Sequence, residues 1–414
     1  MTSPDKLFGM NPRSGRWVFI ALGLGVSICL GAVYAYSVFK TPLEDLFGAS
    51  ATQSNLPFMV FLAVFALFTF IAGRFVEVFG PRRVMAVGGL VVGSGWILTM
   101  FAPSMTSVVL TYGIIGGAGV GIVYGCPIAV ATRWFPDRKG FAVGLTILGF
   151  GISAVVTAPL ARALIASLGP LKTFGIMGAG IILVIVLLSQ PMRFPTPGWK
   201  PEGWIPPESP TKSPTPAVTP SQMIRTPAFK GLYLCFTIGT TAGLMAIGIS
   251  ASVGREVIGL GDGAAAGFVS FFALFNGGGR PLFGWLTDRI GPRKTAVLSF
   301  ALIFLASLGM LASGPGKTVL YAACFACFWL CLGGWLALSP AATAAYFGVM
   351  NHAKNYGLMF SAYGVGAILG GLISGNARDV FGSYRMAFGP TAALAVVGII
   401  LALTLLKPPS QRNR

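Results

Sequence analysis

Acidic residues and histidine are nearly missing from this chain. There are eleven Asp and Glu and one histidine in 414 residues, and charged residues of all kinds make up only 10%. A soluble domain carries about 25% charged residues, so an ordinary water-soluble fold is excluded. The same scarcity argues against an enzyme. There is no complete phosphate-binding loop (Gly316-Lys317-Thr318 lacks the glycine five residues earlier, where Leu311 stands), no histidine in an apolar run and no pair of carboxylates in one, so no catalytic constellation can be assembled. Cysteine is sparse too. Cys29, Cys126, Cys235, Cys324, Cys327 and Cys331 all fall in apolar runs, which argues against a disulfide framework. Cys324 and Cys327 form a Cys-x-x-Cys without a second ligand pair, and packing accounts for them better than metal. No metal and no cofactor is expected.

What the chain has is apolar length. Hydrophobic residues make up 55% of it, and mean hydropathy is +0.79. They come in twelve blocks of about 20 residues, each long enough to cross a bilayer core of roughly 30 Å as a helix. The blocks lie near 17–38, 56–76, 84–103, 107–131, 140–166, 172–191, 229–251, 264–287, 295–313, 318–344, 356–376 and 386–406. The first is too long for a cleaved signal, and eleven more follow it. Glycine is abundant at 57 residues, as expected where membrane helices approach closely, and GGAGVGIVYG (Gly116–Gly125) is the clearest such face. The predicted fold is an all-α, multi-pass membrane protein.

The net charge of +18 points to membrane topology rather than to nucleic acid. With the N-terminus in the cytoplasm, nineteen of the 29 Lys and Arg fall in cytoplasmic loops and tails, six in outer loops and four within or at the ends of spans. This positive-inside bias orients the chain with both termini cytoplasmic.

A segment over 192–227 interrupts the pattern. It holds ten of the 28 prolines with many Ser and Thr, and reads as a cytoplasmic linker. It separates an N-terminal six-helix bundle, residues 1–191, from a C-terminal one, residues 228–414. The halves repeat each other. GRFVEVFGPRR (Gly73–Arg83) follows block two and GWLTDRIGPRK (Gly284–Lys294) follows block eight, 211 residues later. In both, a glycine is followed by an acid (Glu77, Asp288), then by Gly-Pro and two cations (Arg82 and Arg83; Arg293 and Lys294, with Arg289 beside the second acid). The expected device is a clasp in which the acid pairs with the cations beyond a tight turn. An internal repeat of six spans points to a secondary transporter with its site between the halves.

The paired loops resemble the short motif of the major facilitator superfamily, found between its second and third helices and again between the eighth and ninth. YGxxxxxxxRWFPDRKG (Tyr124–Gly140), MIRTPAF (Met223–Phe229) and LFNGGGRPLFGWLTDRIG (Leu274–Gly291) narrow the resemblance. They are similar to the oxalate:formate antiporter and monocarboxylate transporter branch, and most of all to bacterial L-lactate-transporting homologues of the animal monocarboxylate transporters. The resemblance implies two pseudo-symmetric six-helix bundles, alternating access, small organic anions as cargo, an inner (plasma) membrane location in a bacterium and a monomeric transport unit.

The residues give a site by themselves. An arginine at the centre of a membrane helix costs roughly 2.5–3.5 kcal/mol on the insertion scale. Arg280 lies eight residues before Asp288, roughly 12 Å above the loop at about 1.5 Å per residue, too deep to snorkel. All eleven acids fall in loops or at span ends, so the expected counter-ion of Arg280 is a substrate carboxylate, held bidentately. Asn276 lies one turn earlier on the same face and is expected to donate to the same substrate. Gly277–Gly279 are expected to leave room beside them. The resemblance adds the rest. Tyr363 stands where the oxalate carrier has a second cation, which implies a single carboxylate and a neutral or hydroxylated tail, as in lactate or pyruvate. Asn276 stands where animal monocarboxylate carriers have an aspartate tied to proton coupling. Tyr34 and Tyr124 match aromatic positions of the oxalate site. Phe150, Phe360 and Trp335 are expected to shape an apolar wall. Lys40 is expected at the membrane interface. The only histidine, His352, is expected in a cytoplasmic loop.

Overall fold

The computed structural model describes residues 6–196, 199–201, 218–348 and 351–406. Most of the linker (202–217) and the last residues of the chain lie outside them, as do the side chains of Gly73, Arg74 and His352. Among the described residues the regular structure is helical. Twelve long helices appear where the apolar blocks predict them; eight run several residues past their blocks, and the third, sixth, ninth and twelfth match their blocks in length to within a residue. We label them α1 to α12. Helix α1 comprises Pro12–Leu30, the 3-10 turn Gly31–Ala35 and Ser37–Phe47; α2 is Ala51–Phe79, α3 Pro81–Thr99, α4 Met105–Trp134, α5 Lys139–Leu168 and α6 Pro170–Ser189. Helices α7 (Pro227–Glu256), α8 (Asp262–Ile290), α9 (Pro292–Leu311), α10 (Thr318–Phe347), α11 (His352–Phe381) and α12 (Tyr384–Leu405) follow. Ten contain a continuous stretch long and apolar enough to cross a membrane. The other two are instructive: α3 opens with Arg82 and Arg83, and α8 carries Asn276 and Arg280 in its interior.

The repeat in the sequence is a repeat in packing. In the first half α1 packs on α5, α2 on α4 and α3 on α6; in the second, α7 packs on α11, α8 on α10 and α9 on α12. Each pairing recurs six helices later. The halves meet through α2 against α11, α5 against α8, and the end of α1 against α7.

The two motif glycines have the same conformation. Gly80 is at φ 79°, ψ 159° and Gly291 at φ 83°, ψ 158°, each ending one helix just before the proline that starts the next. This region of backbone space is essentially closed to residues with a Cβ, and the following proline needs no N–H at the first helical position. The expected clasp takes another form. Glu77 pairs with Arg133 at the end of α4, 2.5 Å away, and not with the cations of its own loop. Arg82 lies beyond the turn and donates to Gln190 Oε1 at the end of α6, 2.5 Å away, while Arg293 donates to the Leu403 carbonyl of α12, also at 2.5 Å. In both halves the first cation ties the third helix to the sixth. Asp288 is exposed and forms no ion pair among the described residues, and Arg289 lies over the Trp285 ring. The clasp of the second half is therefore a turn and a helix tie without an acid.

A stronger pair near the same face comes from residues that the periodicity does not single out. Arg16, 5% exposed at the start of α1, donates twice to Asp137 of the RWFPDRKG motif, at 2.6 and 2.8 Å, and once to the Trp134 carbonyl. The Arg16 guanidinium holds the Asp137 carboxyl below the usual carboxylate range. A carboxyl so lowered contributes stability that is complete above its ordinary value and is lost as pH falls through the lowered one. Thermal unfolding should therefore show an acid-limb loss below about pH 4 that is smaller in Asp137→Asn. Identical acid limbs in the two proteins would contradict this.

Candidate functional site

Helix α8 brings Asn276 and Arg280 to one face, four residues apart, and both are buried at the junction of α5, α8 and α10. The Arg280 Nη1 donates to the Ile147 carbonyl of α5 across the interface between halves, at 2.5 Å, and Nη2 reaches Asn276 Oδ1 at 3.5 Å. Arg280 Nε has no hydrogen-bond partner among the described residues. The Asn276 amide donates to the Trp329 carbonyl of α10 at 3.2 Å. Asn276 is thus engaged in holding α10 and in facing Arg280 with an oxygen, a more positional role than the free donor expected from sequence. Pro281 directly follows Arg280 and removes one backbone hydrogen bond from the helix there.

The described acids lie elsewhere. Glu77 and Asp137 are paired at the terminus-bearing face. At the opposite face Glu44, Glu256 and Asp262 pair with Lys40, Arg378 and Arg255, and Asp379 accepts from the backbone N–H groups of Ala51 and Thr52. Among the described residues Arg280 has only neutral partners.

The glycines beside Arg280 correct one expectation. They do not leave room; they let neighbours in. A Cβ at Gly279 would strike the Leu330 carbonyl of α10, and one at Gly277 the Ile152 side chain of α5. The reciprocal glycine Gly333 takes the Asn276 carbonyl against its own backbone. Only Gly278 of the three has open space around it. The small residues are thus used for close helix contact, and this clamps the arginine between two helices.

Around Arg280 the structure assembles an aromatic cluster from both halves. Tyr34 of α1 and Tyr363 of α11 share a hydrogen bond of 2.8 Å between their hydroxyls. Tyr34 packs edge-on against Phe150 and Trp329, Tyr124 against Phe65 and Phe150, and Phe360 stacks on Tyr363 with centroids 5.1 Å apart. Tyr356 packs against Phe360 with centroids 5.8 Å apart. Five of the six aromatic residues expected from sequence are brought together. Trp335 is not among them. It lies behind the cluster, between Phe236 and Phe300 and against Gly239 of α7. Phe65, Trp329 and Tyr356 belong to the cluster and escape sequence reading: Phe65 and Trp329 sit in unbroken apolar runs where every position has the same chemistry, and Tyr356 stands at the polar start of α11, beside Lys354 and Asn355. Lys40 also differs from expectation. It is fully buried, bonded to the Tyr384 hydroxyl and facing Glu44, because α1 continues to Phe47 under the ends of α7 and α12.

The tyrosine pair gives a direct test of the contact between halves. Tyr34→Phe or Tyr363→Phe leaves one buried hydroxyl without its partner, costing about 1–3 kcal/mol. The double Phe variant should melt no lower than the worse single one. Additive losses would mean that the two hydroxyls act separately.

A family model described as Major Facilitator Superfamily matches residues 22–344. The chain belongs to the Major Facilitator Superfamily. It is 30% identical over 404 residues to the oxalate:formate antiporter of Oxalobacter formigenes, covering 95% of this chain and 94% of that one. It is 26% identical to monocarboxylate transporter 13 of Rattus norvegicus, covering 95% and 90%. In fold it is similar to a bacterial homologue of the human lysosomal transporter Spinster, with a TM-score of 0.70 at 16% identity over 96% of this chain and 97% of that one. The protein is a multi-pass membrane transporter and not an enzyme, related to oxalate:formate and monocarboxylate carriers, with a small anion as the implied cargo.

Proposed function

We propose that the protein is a secondary transporter of small monocarboxylates of the L-lactate or pyruvate type, moving them with a proton by alternating access. One observation carries this reading: a buried arginine between the halves whose partners among the described residues are all neutral, beside a cluster of aromatic rings. A guanidinium so placed is a receptor for one carboxylate. The aromatic wall suits a short apolar or hydroxylated tail and, among the described residues, offers no second cation for a dicarboxylate. Arg280 grips the carboxylate, Asn276 sets the guanidinium, and Tyr34, Tyr363 and Tyr124 face the rest of the molecule. Loading an anion neutralises the site, which lowers the cost of closing the halves around it and supplies the differential binding that a conformational cycle requires.

The positive-inside bias supports both termini in the cytoplasm, with the six-helix halves 1–191 and 228–414 joined by a cytoplasmic linker; likeness to bacterial carriers supports an inner-membrane location and transport by a single chain. In that orientation the polar bridges between halves mark the outer end. Arg255 meets Thr41, Lys40 meets Tyr384, and Asp379 caps the first turn of α2. The ion pairs near the cytoplasm, Arg16–Asp137 and Arg133–Glu77, stay within one half. The conformation is therefore the outside-closed one.

Uptake of labelled L-lactate into proteoliposomes should rise with an inward proton gradient and be insensitive to membrane potential. A second reading, exchange of organic anions, is favoured by the absence of a carboxylate or imidazole neighbour for Arg280 among the described residues; it predicts uptake only into counter-loaded vesicles. Asn276→Asp would place a carboxylate beside Arg280 Nη2. Lactate affinity should then fall at neutral pH and recover as the carboxyl is protonated in acid, measured by calorimetric titration. A pH-independent affinity equal to that of the parent protein would contradict the role given to Asn276.

A further inference from the structure

On the lipid-facing surface of the first half, α2, α3 and α4 enclose an apolar groove of about 430 Å³, lined by Phe68, Ile71, Phe79, Val87 and Ile122 with Arg83 at one end. The volume is in the range of sites that hold small molecules, about 300–1,000 Å³. Along α2 it runs from Phe68 to Phe79, roughly 16 Å at about 1.5 Å per residue, or about half of a hydrocarbon core of roughly 30 Å. It begins at the helix end that carries the Gly80–Pro81 turn. Its reach therefore matches one leaflet.

Arg83 is the decisive group. The repeat sets Arg82 against Arg293, and both are spent on the sixth helix of their half. Arg83, the second cation of the motif, is exposed and makes no hydrogen bond or ion pair among the described residues. Its guanidinium stands at the headgroup end of a chain-shaped, uncharged groove. We propose that this groove is a binding site for one anionic phospholipid, with an acyl chain lying between α2 and α4 and the phosphate on Arg83. Basic pockets between helices at a membrane surface recognise such headgroups by charge, and the aromatic lining fixes the depth of the chain. Because the groove spans three helices of one half, the lipid would tie α2, which faces α11 across the interface, to α3 and α4.

Native mass spectrometry of the purified full-length protein tests this with phosphatidylglycerol and phosphatidylcholine of identical chains. Phosphatidylglycerol should be retained about fivefold better, the effect of one cation at a charged membrane surface. Arg83→Gln should abolish that preference. Val87→Trp, a substitution of a half-exposed residue in the groove wall, should reduce retention of both lipids. Lys294→Gln, at the matching place in the second half, should keep the preference. The proposal is overturned if Arg83→Gln keeps the parent preference, if Val87→Trp retains both lipids fully, or if glycerol phosphate without chains competes as well as the lipid does.

Discussion

Arg280→Gln should reduce L-lactate affinity by about two to four orders of magnitude without lowering thermal stability. Two charge-assisted hydrogen bonds of about 1.5–3 kcal/mol each are lost with the guanidinium, and every 1.4 kcal/mol is about tenfold in affinity. Stability should hold because the parent protein buries a charge with only neutral partners, and removing it removes the desolvation cost. The ties forfeited are the contact with the Ile147 carbonyl and the long one to Asn276 Oδ1. Arg280→Lys should also fail, since an ammonium cannot present the planar fork that spans Ile147, Asn276 and a carboxylate together. The combination distinguishes a binding residue from a structural one. If Arg280→Gln unfolds the protein and its folded fraction binds lactate normally, the arginine is a packing device.

Gly333→Ala should be the most damaging one-carbon change near the site. The new Cβ would enter the Asn276 carbonyl, which is backbone and cannot swing away. Overpacking of this kind costs about 1–3 kcal/mol. It would push α10 off α8 at the point where the Trp329 carbonyl holds the Asn276 amide, so we expect both a lower melting temperature and roughly tenfold weaker lactate binding. Gly278→Ala is the matched control, with open space at that position. Equal melting temperatures and affinities for the two variants would show that the clamp between α8 and α10 does not set the arginine.

The difference between these two glycines marks where sequence reading stops. Spans, repeat and the depth of Arg280 are written in hydropathy and spacing, which act along the chain. The boundary turns are written in Gly80–Pro81 and Gly291–Pro292, where backbone sterics leave few alternatives. The partners of those residues are not written locally. GGG beside an arginine reads as free space, yet two of the three glycines are filled by the backbone or side chains of neighbouring helices. Glu77 reads as a partner for the cations five and six residues on, yet the fold delivers Arg133 from α4. Lys40 reads as interfacial, yet the continuation of α1 under α7 and α12 buries it. Tyr34 and Tyr363, more than 300 residues apart, meet only because both halves fold the same way and face each other.

The central claim is that the counter-ion of Arg280 is the cargo. Solid-state nuclear magnetic resonance measures it directly, using protein labelled with 15N at arginine and L-lactate labelled with 13C at the carboxylate, in lipid. The account predicts dephasing of the lactate carbon by a guanidinium nitrogen within about 4 Å, the separation set by a charge-assisted hydrogen bond, and its loss in Arg280→Gln. A bound lactate whose carboxylate lies beyond about 6 Å from any arginine nitrogen, out of hydrogen-bond reach, or whose dephasing survives in Arg280→Gln, would contradict it.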